Sequence, residues 1–242
     1  LTHLDAKKFA DTLCEKIGVN KNHLMPAYED VLYYLWAEQQ LPANVNPLKA
    51  DLSDELERRR IAKLLSRGLN TESGYVLPIE WNYANQSWIT GRWKLRTGEL
   101  MLIPGDSPLG LRLPLNSLEF PQDESERYQP ESDPLAARAP LASSGEQFTQ
   151  LVTQVSAQKI NPQSTTAKNA INPHYLEAGY VVRTALCFEA RDGRLHLFLP
   201  PLTYLEHYVA LIEAIEATAA QLNMPVVLEG YEPPKDYRLK KF

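Results

Sequence analysis

The acids and bases of this 242-residue chain fall into two settings. Glu206, Glu213 and Glu216 stand in helix-period text, where Glu206 and Glu213 lie opposite Leu211 and Ile215. That is a solvated helix face rather than a carboxylate cluster. Arg183, Glu189, Arg194 and Glu229 differ, because they stand inside or beside the apolar runs "YVVRTALCFEARDGRLHLFLPP" and "MPVVLEGY". A charge on a sheet face costs several kcal/mol, roughly, unless it is paired or solvated. Arg183 alternates with Val181 and Ala185, which puts all three on one face, and Glu229 closes an apolar strand. Arg183, Glu189 and Glu229, placed on adjacent strands, are candidates for a phosphate, metal or carboxylate site. The other reading of the same residues is a wet second face or a set of internal ion pairs.

A second candidate lies in "LMLIPGDSPLGLRLPLNSLEF". Pro104, Pro108 and Pro114 restrict φ, while Gly105 and Gly110 permit turns closed to other residues. Such a stiff bend presents Asp106 and Arg112, which suits ligand orientation or domain docking. A rigid corner between two layers explains the same text. Gly-Asp-Ser at 105–107 opens one class of esterase, but the Asp-x-x-His pair that class needs is absent, so Ser107 reads as a turn residue. Cys14 sits beside Leu13 and Ile17 with no histidine near it, which reads as a core thiol rather than a nucleophile. The histidines at 3, 23, 174, 196 and 207 show no metal-ligand spacing and read as structural. No phosphate loop, dinucleotide fingerprint or zinc-protease motif occurs, and no metal ligands are assigned.

The elements that must position these residues come next. At 44% hydrophobic and 23% charged the composition is that of a globular protein, and a net charge of -5 argues against nucleic acid as a partner. No apolar run is long enough to span a bilayer, and no Lys/Arg cluster suggests a membrane patch. Two cysteines among apolar neighbours imply buried thiols, a reducing compartment and a cytoplasmic location. The start at Leu1 and the end at "YRLKKF" read as a piece of something longer.

The expected class is α+β, with a helical N-terminal part, a β-hairpin middle and a strand-strand-helix-strand unit. Segment 1–72 is helical: residues 4–17 with Gly18 as the stop, then "PAYEDVLYYLWAEQQLP", then "LSDELERRRIAKLLSRGL" capped by Ser53. Segment 73–120 opens with "GYVLPIEW", where Tyr75, Leu77, Ile79 and Trp81 share a face and Pro78 argues against a central position. "WITGRWKLRTGELMLI" follows as a hairpin turning at residues 96–99. Residues 121–172 are polar and Pro-rich, a flexible linker or surface excursion with a short helix near "EQFTQLVTQVSAQ". Segment 173–242 holds a hairpin at Asp192-Gly193, a helix opened by a capping box of Thr203 and Glu206, and the strand "MPVVLEGY". Leu211, Ile212, Ile215, Ala219 and Leu222 share the helix's buried face.

Five blocks carry a family resemblance: "LMPAYEDVLYYLWAEQQLPANVNPL", "SDELERRRIAKLLSRGLNTESGYVLPI", "LMLIPGDSPLGLRLPLNSL", "VVRTALCFEARDGRLHLFLPP" and "IEATAAQLNMPVVLEGYEPP". They resemble successive blocks of large bacterial transglutaminase-like proteins with a C-terminal amidoligase region of the glutamine-synthetase-like type. The resemblance implies a middle fragment of an ATP-dependent amidoligase fused to a transglutaminase-like domain and acting on peptide or protein amide bonds. ATP and Mg2+ would belong to the full-length protein and not be held tightly by this piece, which alone would be inactive. Its partners would be the rest of the parent chain and a peptide or protein substrate. No Cys-His-Asp set of the transglutaminase-like domain is present. Arg183, Glu189 and Glu229 are the contributors to the ligase sheet that position and chemistry suggest. The rival reading is a non-catalytic scaffold or substrate-binding module between enzymatic domains.

Overall fold

The computed structural model describes residues 1–30, 33, 71–82, 87–95, 98–118, 138, 140–141 and 181–240. Its architecture is α+β: helices on a mixed sheet of seven strands. Helix α1 (His3–Ile17) starts where Asp5 accepts hydrogen bonds from the Thr2 backbone and hydroxyl. It stops at Gly18, whose φ of 73° no β-carbon obstructs. Phe9, Leu13 and Ile17, spaced as expected, are buried together with Ala6, Ala10 and Cys14.

Strand β1 (Met25–Glu29) follows and corrects the start of the expected second helix. Its residues alternate between buried and half-buried, because it pairs antiparallel with β2 (Gly74–Asn82) and parallel with β4 (Leu100–Leu102). Partners distant in sequence override helix-period text here. The remainder of that expected helix beyond residue 30, apart from residue 33, lies outside the described residues, as do the expected helix over 52–69 and the linker at 121–172 with its short helix, apart from residues 138, 140 and 141.

Strand β2 is central, which corrects the inference from Pro78. The Ile79 amide donates to Thr184 on the β5 side at 2.9 Å, so by strand alternation the Pro78 nitrogen points the other way. On that side β1 pairs with residues 74–76 and β3 (Ser87–Thr90) with residues 79–82. Pro78 falls between the two, where the ladder asks for no donor. The expected hairpin around residues 96–99 is also corrected. Strand β3 pairs with β2, and β4 pairs with β1, so its two arms join different neighbours.

The C-terminal unit forms as its sequence implies. Strands β5 (Ala185–Arg191) and β6 (Arg194–Leu199) make a hairpin whose turn residues, Asp192 and Gly193, both have positive φ. Helix α2 (Leu205–Leu222) crosses over to β7 (Val226–Gly230), which lies parallel to β6 at the end of the strand order β4-β1-β2-β5-β6-β7. The Thr203–Glu206 capping box does not form. Tyr204 is the N-cap and makes no capping hydrogen bond with its side chain, and Glu206 instead accepts from Arg238 at 2.6 Å. Arg238 and Arg138 both donate to Asp236, at 2.8 and 2.7 Å. Glu206 is thus tied to the C-terminal tail rather than left to solvent.

Two cores flank the sheet. Leu77, Ile79, Leu186, Phe188, Leu195 and Leu197 meet Phe9 and Leu13 of α1 and Leu211 and Ile215 of α2. On the opposite face Met25, Val76, Leu100, Cys187 and Phe198 are covered by Trp93, Leu109, Leu113 and Leu118, a layer of coil and 3-10 turns. The Pro-rich bend belongs to this second layer. Among the described residues no helix is long and apolar enough to cross a membrane.

Candidate functional site

The face under the bend carries the charged residues. Along β5 the positions Cys187, Glu189 and Arg191 alternate onto the same face as Ala185, and the register sets Glu189 opposite His196 of β6. The parallel pairing of β6 with β7 sets Phe198 beside Glu229. Glu189 and Glu229 are therefore one strand apart rather than adjacent, and β6 holds His196 between them.

A guanidinium joins them. Arg191 Nη1 meets Glu189 Oε2 at 3.3 Å, and Nη2 donates to Glu229 Oε2 at 2.8 Å. The same Nη2 lies 2.9 Å from His196 Nδ1, which stands 3.5 Å from Glu229 Oε2. A guanidinium is only a donor, so in its contact with Arg191 the Nδ1 atom is the acceptor. The Leu109 amide, at the start of the 3-10 turn in the bend, donates to Glu189 Oε2 at 3.3 Å. Burial raises the Glu189 carboxyl above its usual range, Arg191 and the Leu109 amide counter this, and Glu229 adds to the rise. Side-chain exposures of 13% to 25% across the four residues leave the cluster half-open rather than sealed.

The bend is held over this cluster by a second, buried pair. Arg112 engages Glu29 through both terminal nitrogens, with Nη1 to Oε1 at 3.1 Å and Nη2 to Oε2. Its Nε donates to the Ile103 carbonyl at 2.8 Å, Ile103 N donates back to Arg112 O at 2.8 Å, and Ser73 Oγ donates to Glu29 Oε1 at 3.1 Å. One arginine thus closes the loop from 103 to 112 and pins it to β1. Two glycines allow the close fit. A β-carbon at Gly110 would overlap the Phe198 ring, and one at Gly74 would overlap the Phe188 carbonyl and the Leu109 side chain.

The five candidates from the sequence therefore separate. Glu189 and Glu229 come together through Arg191. Arg183 precedes β5, is half-buried, and has no ion pair with either glutamate. Asp106 is exposed, while Arg112 is buried in the Glu29 pair, so they do not present one surface to a ligand. Sequence reasoning missed Arg191 and His196. A signal for both existed: Glu189 and Arg191 are two apart on a strand, and the Asp192-Gly193 turn sets His196 opposite Glu189.

The remaining reactive groups lie elsewhere. Burial pushes the Cys14 thiol up to about 12 and raises Cys187 as well, which keeps both protonated core thiols. His207 stacks on Trp81 with ring centroids 4.0 Å apart, and burial lowers its pKa to about 4. Among the described residues no group of three or more His, Cys, Asp or Glu could hold a metal ion. With Glu189 and Glu229 both turned to Arg191, these residues do not supply the carboxylate set that a magnesium-bound triphosphate needs.

The model of a family described as "Putative amidoligase enzyme (DUF2126)" matches residues 1–242. The chain belongs to this family. No curated protein and no solved structure matches it. The family match spans both the sheet and the bend, so the cluster beneath the bend lies within the amidoligase region itself.

Proposed function

We propose that this chain is part of an enzyme that joins a carboxylate to an amine as an amide, with peptides or proteins as substrates. The observation that carries the reading is the amidoligase match along the whole chain. The half-open Glu189–Arg191–His196–Glu229 cluster supports it, because it places ionisable groups of both signs on one accessible sheet face. Dependence on ATP and magnesium, and fusion to a transglutaminase-like domain, belong to this reading through the block resemblance. The described residues do not fit the nucleotide's metal, so the part of this sheet is to recognise a reacting partner rather than to activate it.

The experiment is amide formation by the full-length protein given ATP, magnesium, a carboxylate peptide and an amine peptide. The expected result is nucleotide cleavage that requires both peptides, together with a product whose mass equals their sum less one water. Nucleotide cleavage and amide product both absent from every pair tried would count against the ligase and favour the scaffold.

A further inference from the structure

The two edges of the sheet differ. Strand β4 is three residues long and runs into the bend that Arg112 holds. Strand β7 is five residues long, and among the described residues it has β6 on one side and no strand on the other. The Tyr231 amide donates to the Leu199 carbonyl of β6 at 3.3 Å. By strand alternation the backbone groups of Val227 and Glu229 also face β6, and those of Val226 and Leu228 face outward. Gly230, at a φ of 103°, ends the strand. Open edges are ordinarily guarded by lysine, proline or a bulge. Strand β7 has none of these: its register with β6 runs unbroken from Val226 to Gly230, and its one charge, Glu229, is tied to Arg191. Leu228 is 41% exposed, and the register sets it beside Leu197 on the helix-covered face.

We propose that the outer edge of β7 binds an extended peptide as an additional strand. Val226 and Leu228 each offer the peptide one amide and one carbonyl, which only another strand satisfies in regular order. The exposed Leu228 side chain favours an apolar residue at the facing position, and the peptide must be free of proline there to supply a donor. A second copy of this chain fits less well. A stable interface between folded chains takes about 20–30 residues a side, and this edge has five. A short peptide needs no more, because main-chain hydrogen bonds carry the affinity of strand addition. The inference deepens the ligase reading and rests on it for one point, that the peptide is substrate. Glu229 belongs to the same strand, so the added chain runs alongside the cluster that Arg191 gathers.

The test is calorimetry and amide hydrogen exchange on the full chain, with acetyl-Ser-Val-Thr-Val-Ser-amide as the probe. The control is the same peptide with N-methyl groups on its second and third residues, which removes a donor from each of its two edges. The unmethylated peptide is expected to bind at least tenfold more tightly. In the protein alone the Val226 and Leu228 amides should exchange freely while those of Val227 and Glu229 are protected, and the peptide should slow the first pair at least tenfold. Leu228→Pro deletes an outward donor that the ladder to β6 does not use. Leu228→Lys keeps the backbone donor and guards the edge. Each should weaken binding at least tenfold, whereas Leu111→Ser, at an exposed apolar position on the bend, should leave it unchanged. If Leu228→Pro fails to fold, Leu228→Lys and exchange in the wild type decide the matter. Equal binding of the two peptides, or unchanged exchange at residues 226 and 228, overturns the proposal. Protection of those two amides without peptide also overturns it: protection that grows with protein concentration marks pairing of two copies, and protection independent of concentration marks cover by the chain itself. Peptide binding at the edge without amide formation sinks the ligase reading alone, and amide formation without protection of the edge sinks this site alone.

Discussion

Replacing Arg112 with methionine tests whether the bend is a structural corner. The side chains of Arg112 and Glu29 are 9% and 8% exposed, and their pairing is bidentate. Removing the arginine takes both guanidinium donors from a buried carboxylate that Ser73 also bonds. Breaking a buried ion pair from one side costs about 3–5 kcal/mol. Urea slopes for small proteins are about 1–3 kcal/mol per molar, so the midpoint should fall by roughly 1–5 M. Glu29→Met should cost a similar amount, since it strands the guanidinium. The double variant removes both charges, and methionine fills much of each space, so it should recover most of the loss. What remains is on the order of 1 kcal/mol, for the Ile103 carbonyl that loses the Arg112 Nε donor in either background. The coupling between the two changes should therefore exceed about 2 kcal/mol in a double-mutant cycle. Asp106→Ala is the control on the same loop, and at an exposed position it should cost under about 0.5 kcal/mol. Losses that simply add in the double variant, or a single loss below about 1 kcal/mol, would refute the clamp.

Gly110→Ala should destabilise by about 1–3 kcal/mol because its β-carbon overlaps Phe198, whereas Gly105→Ala, with its nearest neighbour 3.9 Å away, should be close to neutral in thermal unfolding. Ile215→Ala on the buried face of α2 should cost about 2–4 kcal/mol, and Glu216→Ala on its exposed face under about 0.5 kcal/mol. Equal losses would show that the buried face is misassigned. His207 is lowered by burial to about 4 from 6.5, with Glu206 opposing weakly. The unfolded chain then binds the extra proton between those values, so stability is full above pH 6.5 and falls as pH drops toward 4. His207→Phe should keep the stacking on Trp81 and remove that dependence. The difference in unfolding free energy between wild type and variant should change by at most about 3 kcal/mol over the window, and a constant difference would contradict a buried neutral imidazole.

Where local chemistry decides structure, the sequence was sufficient. Gly18 ends α1 because a left-handed residue is needed there, and Asp192-Gly193 turns the β5–β6 hairpin because both positions require positive φ. The helix-strand order of residues 185–230 follows from a change of apolar period, and of the expected buried face of α2 Leu211 and Ile215 are buried while Ile212, Ala219 and Leu222 are partly so, the face being centred on Ala210, Ala214 and Thr218. These signals act within a few residues, and no distant partner competes with them. The α+β class was legible on the same grounds.

What the sequence left open was decided by residues far apart along the chain. Met25–Glu29 is a strand because residues 74–76 and 100–102 flank it, and Pro78 is tolerated in a central strand because its nitrogen points into the gap between two partners. Glu206 fits a capping box in sequence, but Arg238 takes it. The site shows the same division. Glu189 and Glu229 stood out as charges in apolar strands, since the cost of burying a charge is a property of each residue alone. That Arg191 would bind both, that His196 would fall between them, and that Arg112 would turn inward to Glu29, 83 positions away, depended on strand order and register. An ion pair forms between whichever groups the fold brings within a few ångströms, and composition and periodicity carry no record of that distance.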